Sequence, residues 1–118
     1  MSAAPAIWAY RARCERVIDG DTIDVTVDAG FANYRTERLR LLGVDTPEKR
    51  GPTHGAGLLA QGYVEEWLED AEGEWPLVIV TRKSDAFGRY LARVWRIDDG
   101  QCLNDDLLTA GYAVPFMG

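Results

Sequence analysis

From Tyr10 to Leu42 the side chains follow a period of two, broken twice by turn residues. Tyr10, Ala12 and Cys14 alternate with Arg11, Arg13 and Glu15, and Ile23, Val25 and Val27 alternate with Asp24 and Thr26. Successive side chains of a strand point to opposite faces, so each run reads as a strand with one face in a core. Asp19-Gly20-Asp21 between them is a turn signature, which leaves Asp21 where a turn feeds a strand. A third strand reads from Thr36 to Leu42, with Leu39 and Leu41 on one face and Arg38 and Arg40 on the other. Gly43 ends it, and Val44 to Pro52 is expected to be loop because Pro47 and Pro52 lack the donors a ladder needs.

After these three strands the period changes. Leu59, Tyr63, Val64, Trp67, Leu68 and Ala71 recur at helical spacing, with Glu65, Glu66, Glu69 and Asp70 opposite, which predicts an amphipathic helix from Leu58 to Ala71. Leu77 to Val80 reads as a buried strand, Tyr90 to Ile97 as a fifth strand, and about Leu103 to Ala110 as a short C-terminal helix, with Gly111 just past its end. Five strands with a helix between the third and fourth are the order of an OB-fold barrel, an α+β, mainly β architecture whose closure removes exposed edges. At 118 residues, the chain fits one domain spanning residues 1–118.

Composition narrows the class. No run approaches the roughly 18 apolar residues of a membrane helix, and the N-terminal segment lacks the basic start of a secretory signal. A cytoplasmic location is expected, for a cellular or a phage-encoded gene. Cys14 and Cys102 have no second pair to form a disulfide framework or a zinc site and read as buried thiols. The net charge of −6 argues against a basic nucleic-acid binder, but six of the acids fall between Glu65 and Glu74. Elsewhere the charges balance, and Arg35, Arg38, Arg40, Lys49 and Arg50 form a basic cluster opposed only by Glu37, Asp45 and Glu48.

Three stretches carry chemistry. They are Asp19-Gly20-Asp21-Thr22, Arg40-Leu41-Leu42-Gly43-Val44-Asp45-Thr46-Pro47-Glu48, and Asp85-Ala86-Phe87-Gly88-Arg89. All fall at loops or strand ends, where side chains converge on a cleft. Phosphodiester hydrolysis adds negative charge to the phosphorus oxygens as water attacks, and Arg40 and Arg89 can meet it with planar guanidinium groups that grip two oxygens at once. Carboxylates at Asp21 and Asp45 suit a hard cation, and a further one at Glu48 could take the proton from water. Each stretch alone reads more simply as a turn, a solvent-facing strand residue or a hairpin. Their order and spacing together favour the catalytic reading.

In these motifs the chain resembles the staphylococcal nuclease (thermonuclease) family, from about Cys14 to Val114. The resemblance implies an OB-fold and calcium-dependent endonucleolytic cleavage of DNA and RNA with little sequence preference. By position it implies that Asp21, Asp45 and the Thr46 carbonyl hold the metal, that Glu48 is the general base, and that Arg40 and Arg89 bind phosphate. Single-stranded or frayed nucleic acid is the expected partner. The rival from another class is a catalytically silent OB-fold module that binds nucleic acid or a protein. Three departures stand out: a short loop from Lys49 to Ala56, Phe87 where the family offers tyrosine, and no third helix. Phe87 can still stack on a substrate base. Leu107, Leu108, Phe116 and Met117 are expected to lack cover, which a homodimer or a partner subunit would supply.

Overall fold

In a computed structural model, residues 8–82 and 89–116 are described, and they build a closed barrel with two helices. The elements are β1 (Ala9–Asp19), β2 (Thr22–Asp28), β3 (Tyr34–Leu41), β4 (Val44–Asp45), α1 (His54–Glu69), β5 (Leu77–Arg82), β6 (Tyr90–Arg96), α2 (Leu103–Thr109) and β7 (Val114–Pro115). Around the barrel the strands run β1-β2-β3-β6-β5, and β5 returns to β1. All pairs are antiparallel except β3 with β6. That is the five-stranded OB-type barrel expected from the strand order.

β1 serves two neighbours, pairing through Ala9–Ala12 with β5 and from Arg11 onward with β2. Register shifts between Cys14 and Arg16 and between Val17 and Asp19 let it coil enough for both, as bulges do. The alternating apolar residues point inward. Ala12, Ile23, Val25, Leu39, Leu41, Ile79, Ala92 and Val94 are all buried, and a fully buried Leu or Ile side chain contributes about 1.5–3 kcal/mol.

α1 lies against the barrel through most of the face expected, with Val64 and Trp67 buried and Tyr63, Leu68 and, just past its end, Ala71 packed on the core. Gly57, Ala60, Val64 and Trp67 are its buried residues, whereas Leu59 is 65% exposed. The helix also begins earlier, taking in His54, whose Nδ1 meets the Lys49 carbonyl. A short 3-10 turn, Gly51–Thr53, precedes it.

Two further expectations change. Val44 to Pro52 is not all loop, because Val44–Asp45 pairs with Val114–Pro115 and the Phe116 amide donates to the Gly43 carbonyl at 2.9 Å. Leu107 is fully buried and Leu108 packs on the core, so α2 turns its leucines inward instead of leaving them uncovered. α2 is tied to the barrel by Asn104, which is completely buried. Its amide donates to the carbonyls of Leu42 (2.9 Å) and Ala92 (3.0 Å), and its oxygen accepts from the Val94 amide (3.0 Å). One side chain thus joins the end of β3 to β6.

Candidate active site

The first motif forms a tight connection. Asp19 pairs with Thr22, so Gly20 and Asp21 make the turn between β1 and β2, and the Asp21 carbonyl accepts from the Leu41 amide at 2.8 Å. A Cβ on Gly20 would stand 2.9 Å from both the Ala60 Cβ and the Thr46 Cγ2. Only glycine lets the turn sit this close to α1 and to the second motif. The Asp21 carboxylate is then aimed by its neighbours: one oxygen accepts from the Thr46 amide (3.1 Å), the other from the Thr22 hydroxyl (3.2 Å).

Arg40 leaves the outer face of β3 opposite Thr22 on β2 and Leu91 on β6. Its guanidinium lies 3.2 Å from the Asp21 carboxylate and 3.3 Å from that of Asp45, and it donates to the Val44 carbonyl at 3.0 Å. The ring of Phe116 covers it, with the guanidinium carbon 5.3 Å from the ring centroid. The Arg40 side chain is only 11% exposed, while that of Asp45 is 49% exposed. A guanidinium this buried needs opposite charge beside it, and two carboxylates supply it.

Thr46 is buried, and the loop that follows it is held by α1. The Thr53 hydroxyl donates to the Glu48 carbonyl at 2.7 Å, and a Cβ on Gly57 would come within 2.7 Å of that same oxygen. Lys49 ties the loop to the barrel, donating to the Ile18 carbonyl at 2.7 Å and lying 3.4 Å from Asp19. With its backbone fixed in this way, Glu48 presents an exposed side chain.

The structure therefore brings Asp21, Arg40, Asp45 and Thr46 together and sets Glu48 on the adjoining loop. Arg89 is half-buried and immediately precedes Tyr90, which pairs with Leu39, the residue before Arg40. Arg40 thus lies on β3, and Arg89 lies just ahead of β6, the parallel neighbour of β3. Phe87 lies outside the described residues. The basic cluster is not a field of spare charge: Arg35 pairs with Glu37 (2.6 Å), Arg38 with Asp24 (2.7 Å), and Lys49 with Asp19. Arg38 and its hydrogen bonds hold the Asp24 carboxyl below the usual range. Burial raises both thiols, that of Cys14 to about 11, so neither is poised as a nucleophile.

Among the described residues no three His, Cys, Asp or Glu side chains cluster as a complete metal site. The Asp21 and Asp45 carboxylates both flank the Arg40 guanidinium, and Thr46 follows Asp45 directly, so the oxygens gathered here form a sparse, all-oxygen donor set. Such a set fits a hard divalent cation that keeps several waters, and it does not fit zinc.

The family described as staphylococcal nuclease homologue matches residues 38–117. The chain belongs to this family. A thermonuclease of Staphylococcus intermedius is 36% identical over 88 residues, which cover 72% of this chain and 48% of that protein. A micrococcal nuclease of Shigella flexneri is 31% identical over 93 residues, covering 79% and 47%. An uncharacterized protein of Methanocaldococcus jannaschii is 32% identical over 125 residues, covering 88% and 58%. The chain spans about half the length of these relatives, and the family likeness makes it a nuclease-like domain of a kind suited to nucleic acid.

Three contributors had no motif to announce them. Asn104 lies in the expected C-terminal helix, Phe116 is among the residues expected to lack cover, and Gly57 falls just ahead of the expected helix start at Leu58. None left a usable signal: of Gly55, Gly57 and Gly62 only Gly57 meets a neighbour, and the sequence does not set it apart from the other two.

Proposed function

We propose that this chain is a calcium-dependent phosphodiesterase that cleaves DNA and RNA internally with little sequence preference. The observation that carries the reading is Arg40, held between Asp21 and Asp45 on the outer wall of the barrel, with Glu48 on the loop that continues from them. A charge-fixed arginine, a pair of hard oxygen ligands and one uncommitted carboxylate are the groups that phosphodiester hydrolysis requires.

Asp21, Asp45 and the Thr46 carbonyl would hold the cation, and the donor set described above supports them. Bound there, a calcium ion would supply Lewis acidity next to the phosphate. The remaining chemistry belongs to the side chains. Arg40 and Arg89 grip the non-bridging oxygens and stabilise the charge that builds on them in the transition state. Arg40 is oriented in advance by its three oxygen partners and Phe116, so little reorganisation is left for the reaction itself. Glu48 takes a proton from the attacking water, a contribution on the order of 10²- to 10⁴-fold. Because most basic residues are paired with acids, duplex is held weakly, and single-stranded or frayed substrate is favoured.

The deciding experiment is incubation with denatured DNA and with RNA under calcium, magnesium or chelator. Cleavage of both with calcium, lost with chelator, is the expected result. Binding without cleavage under every condition would instead establish a silent OB-fold module.

A further inference from the structure

The two ends of the barrel differ. α1 covers one, burying Ala60, Val64 and Trp67. Away from it, Trp8, Tyr10, Tyr90, Leu39 and Ile79 line an open cavity of about 550 Å³. That volume lies within the range of small-ligand pockets, roughly 300–1,000 Å³. Its floor is aliphatic, with Leu39 and Ile79 fully or almost fully buried. Trp8, Tyr10 and Tyr90 give it aromatic walls, and Arg35, Glu37, Thr81 and Arg82 also line it. Trp8 is 57% exposed, yet its place is fixed, because its carbonyl accepts from the Thr81 amide at 3.0 Å.

We infer that this mouth is a base-binding subsite for single-stranded nucleic acid, taking a nucleotide beyond the one held at the phosphate arginines. The inference rests on the nuclease reading of the Arg40 site and extends it. Strand register supplies the continuity: Leu39 precedes Arg40, Tyr90 follows Arg89, and Leu39 and Tyr90 are paired. The cavity and the two arginines are therefore reached across one rim of the β3–β6 pair. A polynucleotide lying on that rim can lower a base between Trp8 and Tyr90, since stacking needs only an aromatic face. Phosphates at the rim meet Arg82, which has no ion-pair partner among the described residues, and Arg35, which shares its charge with Glu37. A paired base cannot enter a closed barrel. The mouth therefore selects for strands that are already open, by shape and not by charge.

The test compares the intact protein with Trp8→Ala and Trp8→Phe, in chelator so that binding is read without cleavage. The probes are a labelled oligothymidylate and a duplex hairpin. Trp8→Ala should weaken oligothymidylate binding about tenfold, the loss of one stacked base. Trp8→Phe should restore it to within about twofold, the ring being what matters. Hairpin binding and calcium-dependent cleavage of a dinucleotide should be unchanged in both variants. Equal oligothymidylate affinity for Trp8→Ala and wild type, or an equal loss for the hairpin, overturns the subsite while wild-type cleavage leaves the nuclease reading intact. A wild type that neither binds nor cleaves overturns both. Because Trp8 is largely exposed, thermal melting of Trp8→Ala should match wild type; should it unfold, Trp8→Leu carries the same comparison, keeping apolar bulk while removing the ring.

Discussion

Replacing Asn104 with alanine tests how the end of β3, which carries Arg40, is held to β6. The substitution removes hydrogen bonds to Leu42, Ala92 and Val94 in a place with no exposure to water. Ala92's carbonyl keeps the Leu42 amide as a donor, at 2.9 Å, but the Val94 amide and the Leu42 carbonyl lose their Asn104 partner. At about 1–3 kcal/mol for each unsatisfied buried group, and with a small cavity added, the loss should be roughly 3–5 kcal/mol. For a domain whose whole stability is about 5–15 kcal/mol, that is a large share. Urea denaturation reads it as a fall of about 2 M in midpoint at unchanged slope. Asn104→Asp sharpens the test, because its carboxylate still accepts from Val94 but turns a second oxygen toward two carbonyls. Burial raises the folded-state pKa of such an acid above its unfolded value. Compared with wild type at each pH, that variant should be least destabilised below about pH 4, and the deficit should grow as pH rises through the folded-state pKa. A loss under about 1 kcal/mol for alanine, or no pH dependence for aspartate, would show that Asn104 does not hold the strands together.

The remaining expectations concern the site and the surface. Glu48→Gln should keep its melting temperature and lose cleavage by about 10²- to 10⁴-fold, read in a calcium-dependent nuclease assay; wild-type rates would remove Glu48 from the mechanism. Gly57→Ala places a methyl group 2.7 Å from the Glu48 carbonyl, so it should cost about 1–3 kcal/mol in denaturant melts and lower activity by shifting the loop. Phe116→Leu removes the ring over Arg40, worth about 0.5–1 kcal/mol, and should lower kcat/KM about two- to fivefold with a fall of only a few degrees in melting temperature. Glu15, Asp24, Asp28 and Asp99 all have depressed carboxyl pKa values, through hydrogen bonds first of all. Their contribution is present above the unfolded-state pKa and lost as pH falls through the folded-state pKa, so a stability profile should be flat near neutrality and drop below about pH 4.

The barrel was legible in the sequence because period-two alternation survives in every strand that has one buried face, from Ala12 to Val94. Of the candidate site, the gathering of Asp21, Arg40 and Asp45 was legible because they sit beside turn residues whose geometry is local. What local pattern could not reveal was contact at long range. Hydrophobicity placed Leu59 inward, yet α1 turns Gly57 and Ala60 toward the loops, since the approach there leaves no room for a larger side chain. Size decided that face. The β4–β7 pair is only two residues long on each side and includes Pro115, so no strand pattern marks it. The basic cluster looked free because its acids, Asp19 and Asp24, come from other strands.

The β4–β7 clasp also carries a kinetic consequence. It joins Val44 to Pro115, about seventy residues apart, and brings Phe116 over Arg40. Closing so long a loop is entropically costly, and two residues of pairing return little until the barrel and α2 are in place. The surroundings of Arg40 should therefore be completed late in folding. During synthesis, the barrel's first three strands can form well before the residues that cover Arg40 exist, so a growing chain displays the arginine before it can hold it in its final place.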